Sequence, residues 1–403
     1  MSNSLISPQI HEALSRALDS GNVDDFEITV HDPNKKGEGY LGEMLYVTLK
    51  DRKTLQDKHL IVKQAFAEQP LRDALPIRTA YVNEINFYIE VWPRLDEFQK
   101  TIPEEYQFHK VPRCFASISD ENSEKLVLEN LRFQKFRTHE KRAPLNDDYY
   151  KLLMKEYGRF HAVSFAYKHL HPEEYAGLVA NLEDMYEDFG DIEFFPKQLR
   201  GIFELSLKSL QPGRDDAAIA RFKPYIPDCM EEFTAAATCR TRYTCLTHGD
   251  CWSNNMMFKY DESGKPIDVR FLDFQLARDA SPCSDLSYCI YSGASKEVLD
   301  NLDAYLQLYH QSLSDTLRQF GCDPNEVYPF IELKRDWKRC GKLGFSMGLM
   351  IWKVKCLLES EIKDFKDIPI DEQEQIFQGA YDEEAFKKVS RDVILHMYEN
   401  DFF

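Results

Sequence analysis

The sequence predicts a two-lobed α+β protein, a small, mostly β lobe followed by a large, mostly α lobe. Three observations predict it. At 403 residues the chain exceeds the usual single core. Strand-like runs dominate up to about residue 130, and helical spacing of apolar residues dominates beyond it. Within the helical half, LTHGDCWSNN (Leu246–Asn255) is followed by two short apolar runs and RFLDFQ (Arg270–Gln275), which read as a hairpin.

Composition narrows the class. With 43% hydrophobic and 29% charged residues, the chain reads as soluble and globular. A net charge of -18 argues against a nucleic-acid partner, which demands a positive surface, and mildly against anionic membranes. A nucleotide is still compatible, because a local Lys and a cation override the global field. No apolar stretch approaches the ~20 residues of a membrane span. Leu343–Trp352 is short and flanked by Lys338, Arg339, Lys342, Lys353 and Lys355. The first residues lack a basic start and apolar run, so no signal peptide is expected. The ten Cys form no CxxC pair, and the six-residue spacings of Cys239/Cys245 and Cys283/Cys289 do not suit zinc. Mostly buried thiols in a reducing, cytoplasmic setting are expected.

Residues 5–20 place Leu5, Ile6, Ile10, Ala13, Leu14, Ala17 and Leu18 on one helical stripe, ended by Gly21-Asn22. Phe26–His31 alternates as a strand. Next, Gly37, Gly39 and Gly42 make a G-x-G-x-x-G between two strand-like runs, with no helix after it. A dinucleotide-binding turn needs strand, glycines and then helix. The context suits a hairpin lid whose amides approach phosphates, although ordinary Gly-rich hairpin turns share the pattern.

His59–Phe66 is an apolar strand interrupted by Lys63. A buried-strand lysine is costly unless paired or bound to an anion; on an edge strand it would face water. As a phosphate contact it wants an acidic partner on a nearby helix. Residues 78–92 supply that helix, with Ala80, Ile85, Phe87, Tyr88 and Val91 on its apolar face and Pro93 ending it. Glu84 and Glu90 both lie there, and Glu84 is the favoured partner. Lys110–Phe115 and Lys125–Glu129 read as two further strands. The lobe boundary falls near Glu129–Arg132, giving lobes 1–130 and 131–403, and an extended segment there could offer backbone groups to an adenine edge.

Helical spacing then runs through 147–169, 173–210 and 215–238, with breaks near Phe195-Pro196 and Pro212-Gly213. His161 reads as a core histidine satisfied by backbone rather than as a base. Two strands around the turn Glu262–Pro266 bring Asp250, Asn255 and Asp273 to one end of a hairpin. A carboxylate, an amide and a second carboxylate suit phosphoryl transfer: one acid accepts a hydroxyl proton, and the amide and other acid hold Mg²⁺. His248 is expected to hydrogen-bond backbone near Asp273. Trp252 could stack on substrate or pack under the loop. Ser284-Asp285 reads as an N-cap, or Asp285 as a buttress accepting loop amides. Residues 296–320 and 330–358 read as helices, with Gly341, Gly344 and Gly348 allowing close packing. The tail, 364–403, is acidic and partly helical.

Taken in order, GEGYLG, LIVKQAF, LVLEN, HGDCWSNN, LDFQ and SPCSDL resemble the ecdysteroid kinase-like family, relatives of choline kinases and aminoglycoside phosphotransferases. HGDxWxNN followed by a strand and DFQ is specific to that family; GxGxxG is not. The resemblance spans roughly residues 30–350 and implies a protein-kinase-like fold. It implies an enzyme that transfers the γ-phosphate of ATP, with Mg²⁺, to a hydroxyl of a small and apolar polyol such as an ecdysteroid or an ingested toxin. Asp250 then matches the catalytic base, Asn255 and Asp273 the metal ligands, Lys63 the phosphate-contacting lysine, and Glu84 its helix partner. Glu129 falls at the hinge where adenine would bind. Cys251, in place of a larger aliphatic residue, and Asn130, in place of an acid, depart from the pattern outside the catalytic set. The alternatives are a silent protein that keeps the fold to bind a ligand, against which the intact catalytic set weighs, and a choline- or aminoglycoside-type kinase. Gln275 replaces the Gly of a protein-kinase DFG, and no H-R-D or A-P-E is present, which counts against a protein substrate. Oligomeric state is not legible.

Overall fold

Alternation of side chains across strands builds the small lobe. β1 (Phe26–Val30), β2 (Gly42–Asp51), β3 (Asp57–Ala65), β4 (Cys114–Ile118) and β5 (Lys125–Glu129) form one antiparallel sheet in the order β1-β2-β3-β5-β4. The computed structural model describes residues 7–18, 23–31, 41–361, 368 and 379–403. One sheet face presents Leu45, Val47, Leu49, Leu60, Val62 and Val127 to α1 (Pro8–Arg16), which covers them with Ile10, Ala13 and Leu14. The period of two then forces Lys63 onto the opposite face, towards the cleft. Gly37, Gly39 and the expected ends of the first helix lie outside the described residues.

The sequence places a strand over Lys110–Phe115; the strand instead begins at Cys114, and its ladder to β5 is broken by a register shift between Cys114 and Ala116. The helical stretch after β3 also differs. α2 (Gln69–Ala74) and α3 (Ile77–Asn86) are followed by a π turn over Phe87–Val91 and by α4 (Trp92–Gln99). Pro93 therefore does not end the helix. The π turn shifts the bonding to i→i−5, with the Trp92 amide reaching the Phe87 carbonyl, so the donor that Pro93 lacks is absorbed where the ladder is already displaced.

The large lobe begins with the short strand β6 (Arg137–Thr138) and α5 (Asp147–Leu170), capped by the Asn146 side chain on the Asp148 amide at 3.1 Å. α6 (Pro172–Val179), α7 (Phe195–Leu207), α8 (Asp216–Phe222) and α9 (Cys229–Ala237) follow. Next come β7 (Cys245–Thr247), β8 (Met256–Tyr260), β9 (Pro266–Phe271) and β10 (Arg278–Ala280). β8 and β9 pair as the expected hairpin, with Met256 opposite Phe271, and β6 extends them; β10 pairs with β7. The helical remainder is α10 (Pro282–Tyr291), α11 (Lys296–Asp300), α12 (Leu302–Gln319), α13 (Pro324–Val327), α14 (Phe330–Cys356) and α15 (Glu383–Glu399). The single helix expected over 296–320 is thus two, divided at Asn301. All ten cysteines are unbridged, and eight are buried. No helix among the described residues is long and apolar enough to cross a membrane.

α10 and α14 approach closely, as the glycines of 341–348 suggest. A Cβ on Gly344 would stand 2.1 Å from the Ser287 carbonyl carbon, and one on Gly348 2.7 Å from that of Tyr291. A Cβ on Gly341 would meet Trp337 of its own helix first, at 3.6 Å. Gly344→Ala is expected to cost about 1–3 kcal/mol, because backbone must move to admit one methyl. The midpoint of urea denaturation reads that loss.

Candidate active site

The site is the meeting point of the sheet, α3 and the β8–β9 hairpin. Lys63 Nζ, on β3, donates to Glu84 Oε2 at 2.6 Å and to Asp273 Oδ1 at 2.7 Å. Glu84 is fully buried on α3, and the Lys63 side chain is 13% exposed. Glu84, rather than Glu90, is therefore the partner; Glu90 accepts from Asn181 Nδ2 at 2.6 Å on the outside. Burial opposes the Lys63 charge, but the carboxylates of Asp273 and Glu84 outweigh it and hold its pKa above the ordinary lysine value. Burial also lifts Glu84 to about 7, with Lys63 pulling it down and Asp273 pushing it up.

α3 is docked to the segment Asp273–Ala277 next to Glu84. Asn83 Nδ2 donates to the carbonyls of Gln275 and Ala277, both at 2.9 Å, and its Oδ1 accepts the Glu183 amide at 2.9 Å. Phe274 stacks on Phe87 with centroids 3.8 Å apart. These contacts hold Asp273 in a left-handed conformation (φ 67°, ψ 70°), unusual for a residue with a Cβ, and turn its carboxylate to Lys63.

Asp250 and Asn255 stand together on the loop that enters β8. Asn255 Nδ2 donates to Asp250 Oδ2 at 2.7 Å and to its carbonyl at 3.1 Å. Tyr288 OH donates to Asp250 Oδ1 at 2.8 Å. Burial lifts the Asp250 pKa to about 7, and the Asp273 charge adds to it; hydrogen bonds from Tyr288, Asn255 and Trp252 act the other way. The Leu272 amide meets the Asn255 carbonyl at 2.9 Å, which ties the two strands at the end that carries Asn255 and Asp273. Trp252 is buried, packing under the loop while touching Asp250.

The loop is buttressed from α10. Asp285 Oδ2 accepts the His248 amide at 2.7 Å, and Oδ1 accepts the Gly249 amide at 2.9 Å. The helix cap is not Ser284-Asp285 but Ser281, whose side chain accepts from the Cys283 amide. Gly249 has φ +85°, and a Cβ there would lie 2.0 Å from the Leu276 carbonyl oxygen, so only glycine permits this turn. His248 does what its position suggested: Nε2 meets the Leu272 carbonyl at 2.8 Å, and Nδ1 takes the Asp250 amide at 3.1 Å. His161 is a core residue as expected, but side chains satisfy it. Its Nδ1 meets Tyr309 OH at 3.0 Å and its Nε2 meets Asp285 at 3.2 Å. Asp285→Asn is expected to cost about 1–3 kcal/mol of stability, since an amide accepts on one side only and leaves a buried loop N–H unpaired. Guanidinium denaturation at neutral pH measures it.

The remaining residues named from the sequence are placed as follows. Glu129 ends β5, and its carboxylate is engaged, accepting the Arg113 amide at 2.8 Å and Gln134 Nε2 at 2.6 Å. Any nucleotide contact at this position would come from backbone beyond β5. Gly42 opens β2 under Tyr81, where a Cβ would meet the phenol oxygen at 2.0 Å. Sequence reasoning missed Tyr288, Asn83 and Tyr186, whose phenol donates to the Gly249 carbonyl at 2.7 Å. Two of these had a signal: Tyr288 lies three residues after Asp285 on one helix face, and Asn83 adjoins Glu84.

Comparison with known proteins identifies the family. The sequence profile of the ecdysteroid kinase-like family matches residues 36–322. No curated protein matches the chain. Among solved structures, the chain is similar to the GDP complex of aminoglycoside 2'-phosphotransferase-IIIa, at 14% identity and a TM-score of 0.36, covering 81% of this chain and 93% of that one. It is also similar to glucosamine kinase, at 10% identity and a TM-score of 0.34, covering 97% of this chain and 84% of that one. The chain belongs to the ecdysteroid kinase-like family and is a small-molecule kinase, a phosphotransferase acting on hydroxyl groups.

Proposed function

We propose that the protein transfers the γ-phosphoryl group of ATP to a hydroxyl of a small, apolar polyol, of which an ecdysteroid or an ingested toxin is an example. The observation that carries this is the single cluster joining Lys63, Glu84 and Asp273 next to the Asp250–Asn255 pair. In this reading Lys63 contacts ATP phosphates, steadied by Glu84. Asp250 accepts the proton of the substrate hydroxyl as its oxygen attacks the γ-phosphorus, and ADP leaves.

The donor set fits Mg²⁺. Asp273 offers carboxylate oxygen. Asn255 spends its Nδ2 on Asp250, which leaves Oδ1 with no hydrogen bond among the described residues. Both are hard oxygen donors, as this cation prefers. Asn255 and Asp273 would hold the cation, which would supply positive charge to offset that of the nucleotide phosphates. The chain's own part is to fix Asn255 against Asp250 through its Nδ2 and to fix Asp273 against Lys63.

The test pairs binding with turnover. With Mg-ATP in excess, the melting temperature is expected to rise, since ligand at 100 times its dissociation constant stabilises by about 2.7 kcal/mol. A panel of ecdysteroids and plant phenolic glycosides is then screened by mass spectrometry for the gain of one phosphate. A protein that melts unchanged with Mg-ATP and phosphorylates no member of the panel does not have this function.

A further inference from the structure

We infer that Tyr288 is a positioning residue for phosphoryl transfer, fixing the carboxylate of Asp250 in the orientation that accepts the substrate proton. The inference rests on the reading of Asp250 as the base. Tyr288 is 1% exposed, so its phenol does not reach a substrate; among the described residues it hydrogen-bonds the Asp250 carboxylate, at 2.8 Å. The terminal torsion of an aspartate is broad, and one hydrogen bond leaves the group free to pivot about it. Asn255 holds Oδ2 and Tyr288 holds Oδ1, so these two donors, with Trp252 also bonded to the carboxylate, grip opposite oxygens and set the plane between them.

The phenol is itself rigidly placed. Tyr288 and Asp285 are three residues apart and share one face of α10. Asp285 takes the amides of His248 and Gly249, the two residues before Asp250. One helix face thus sets both the backbone that carries the base and the base's carboxylate. α10 in turn is seated on α14, where Gly344 and Gly348 bring the helix backbones together beside Ser287, Tyr288 and Tyr291. A carboxylate pinned before substrate arrives needs no reordering during proton transfer.

The test is a cycle of Tyr288→Phe, Asp250→Asn and the double variant, with turnover normalised to the folded fraction at the assay temperature. Tyr288→Phe removes one oxygen and keeps the ring. We expect kcat to fall about 10- to 100-fold, the size expected for a hydrogen bond to a charged group. KM for ATP and for the acceptor should stay within about twofold, because ground-state binding is untouched. In the Asp250→Asn background the same change should cost less than about twofold, there being no base left to orient. A Tyr288→Phe enzyme with unchanged kcat overturns the inference, and so does a kcat loss that is equally large in both backgrounds, which marks a merely structural role. If Asp250→Asn itself retains near-normal turnover, the reading of Asp250 has failed instead, so the two failures are told apart.

Discussion

Asp250→Asn is expected to lower kcat on the order of 10²-fold or more, the usual contribution of a positioned base, while leaving the protein at least as stable as wild type at pH 8. The second half follows from the sign of the pKa shift. Burial beside Asp273 raises the folded pKa of Asp250 to about 7, above its ordinary value of 3.8. Between those values the folded state binds more protons than the unfolded state, so stability falls as pH rises through the window. A neutral amide removes that penalty. The same shift predicts that wild-type kcat rises with pH as the base ionises and flattens once pH exceeds about 7. Steady-state turnover across pH 5.5–8.5 and thermal melts of both proteins at pH 8 check this. Near-normal turnover in Asp250→Asn would remove the proton acceptor from the scheme.

Lys63→Met carries the other large effect, on stability and on activity together. It leaves Glu84 fully buried with no cation, and Asp273 without its present partner. Breaking a buried pair by removing one member costs about 3–5 kcal/mol, because an uncompensated charge remains. Glu84 escapes part of that cost by keeping its proton. Its folded pKa is already raised to about 7 with Lys63 present, and losing Lys63 raises it further. A raised acid again makes stability fall with rising pH, so the loss in Lys63→Met should be greater at pH 8 than at pH 5.5. Adding Glu84→Gln should recover most of the stability by removing the stranded charge, yet phosphoryl transfer should stay abolished in the double variant. Urea unfolding at the two pH values, with an acceptor-phosphorylation assay, separates the outcomes. A double variant as unstable as Lys63→Met would show that the cost lies in packing around the lysine stem rather than in Glu84.

Much of this was legible in the chain because the signals are local. HGD, the Asn five residues later and the Asp after one hairpin are bound by short-range geometry, so their spacing alone places them at one strand end. Lys63 stood out because a charge in an apolar strand needs a partner. The alternation of β3 then dictates which face it takes, opposite Val62 and away from α1. The helical stripes of α1, α5 and α14 were equally plain, being set by period rather than by partners.

The misreadings share a cause. Pro93 is a helix breaker by local rule, and only the displaced ladder of the π turn lets the helix run on to Gln99. Of the two readings of Ser284-Asp285, the cap fails because Ser281 caps α10, while the buttress holds, with Asp285 accepting loop amides from another element. His161 has no local hint of Tyr309, which lies 148 residues away.

By itself the sequence pointed to a strand-rich first part and a helical remainder, to Lys63, Asp250, Asn255 and Asp273 as the candidate site, and, through its motifs, to the family. Periodicity and short spacings carry the first two, since they depend on backbone geometry within a few residues; the family rests on the resemblance of the motifs. Only the tertiary structure settled Glu84 over Glu90 as the partner of Lys63, packed Trp252 under the loop, and brought Tyr288 to Asp250. These contacts join elements distant in the chain, and their energies come from burial and hydrogen bonding that exist only once the lobes and helices have packed.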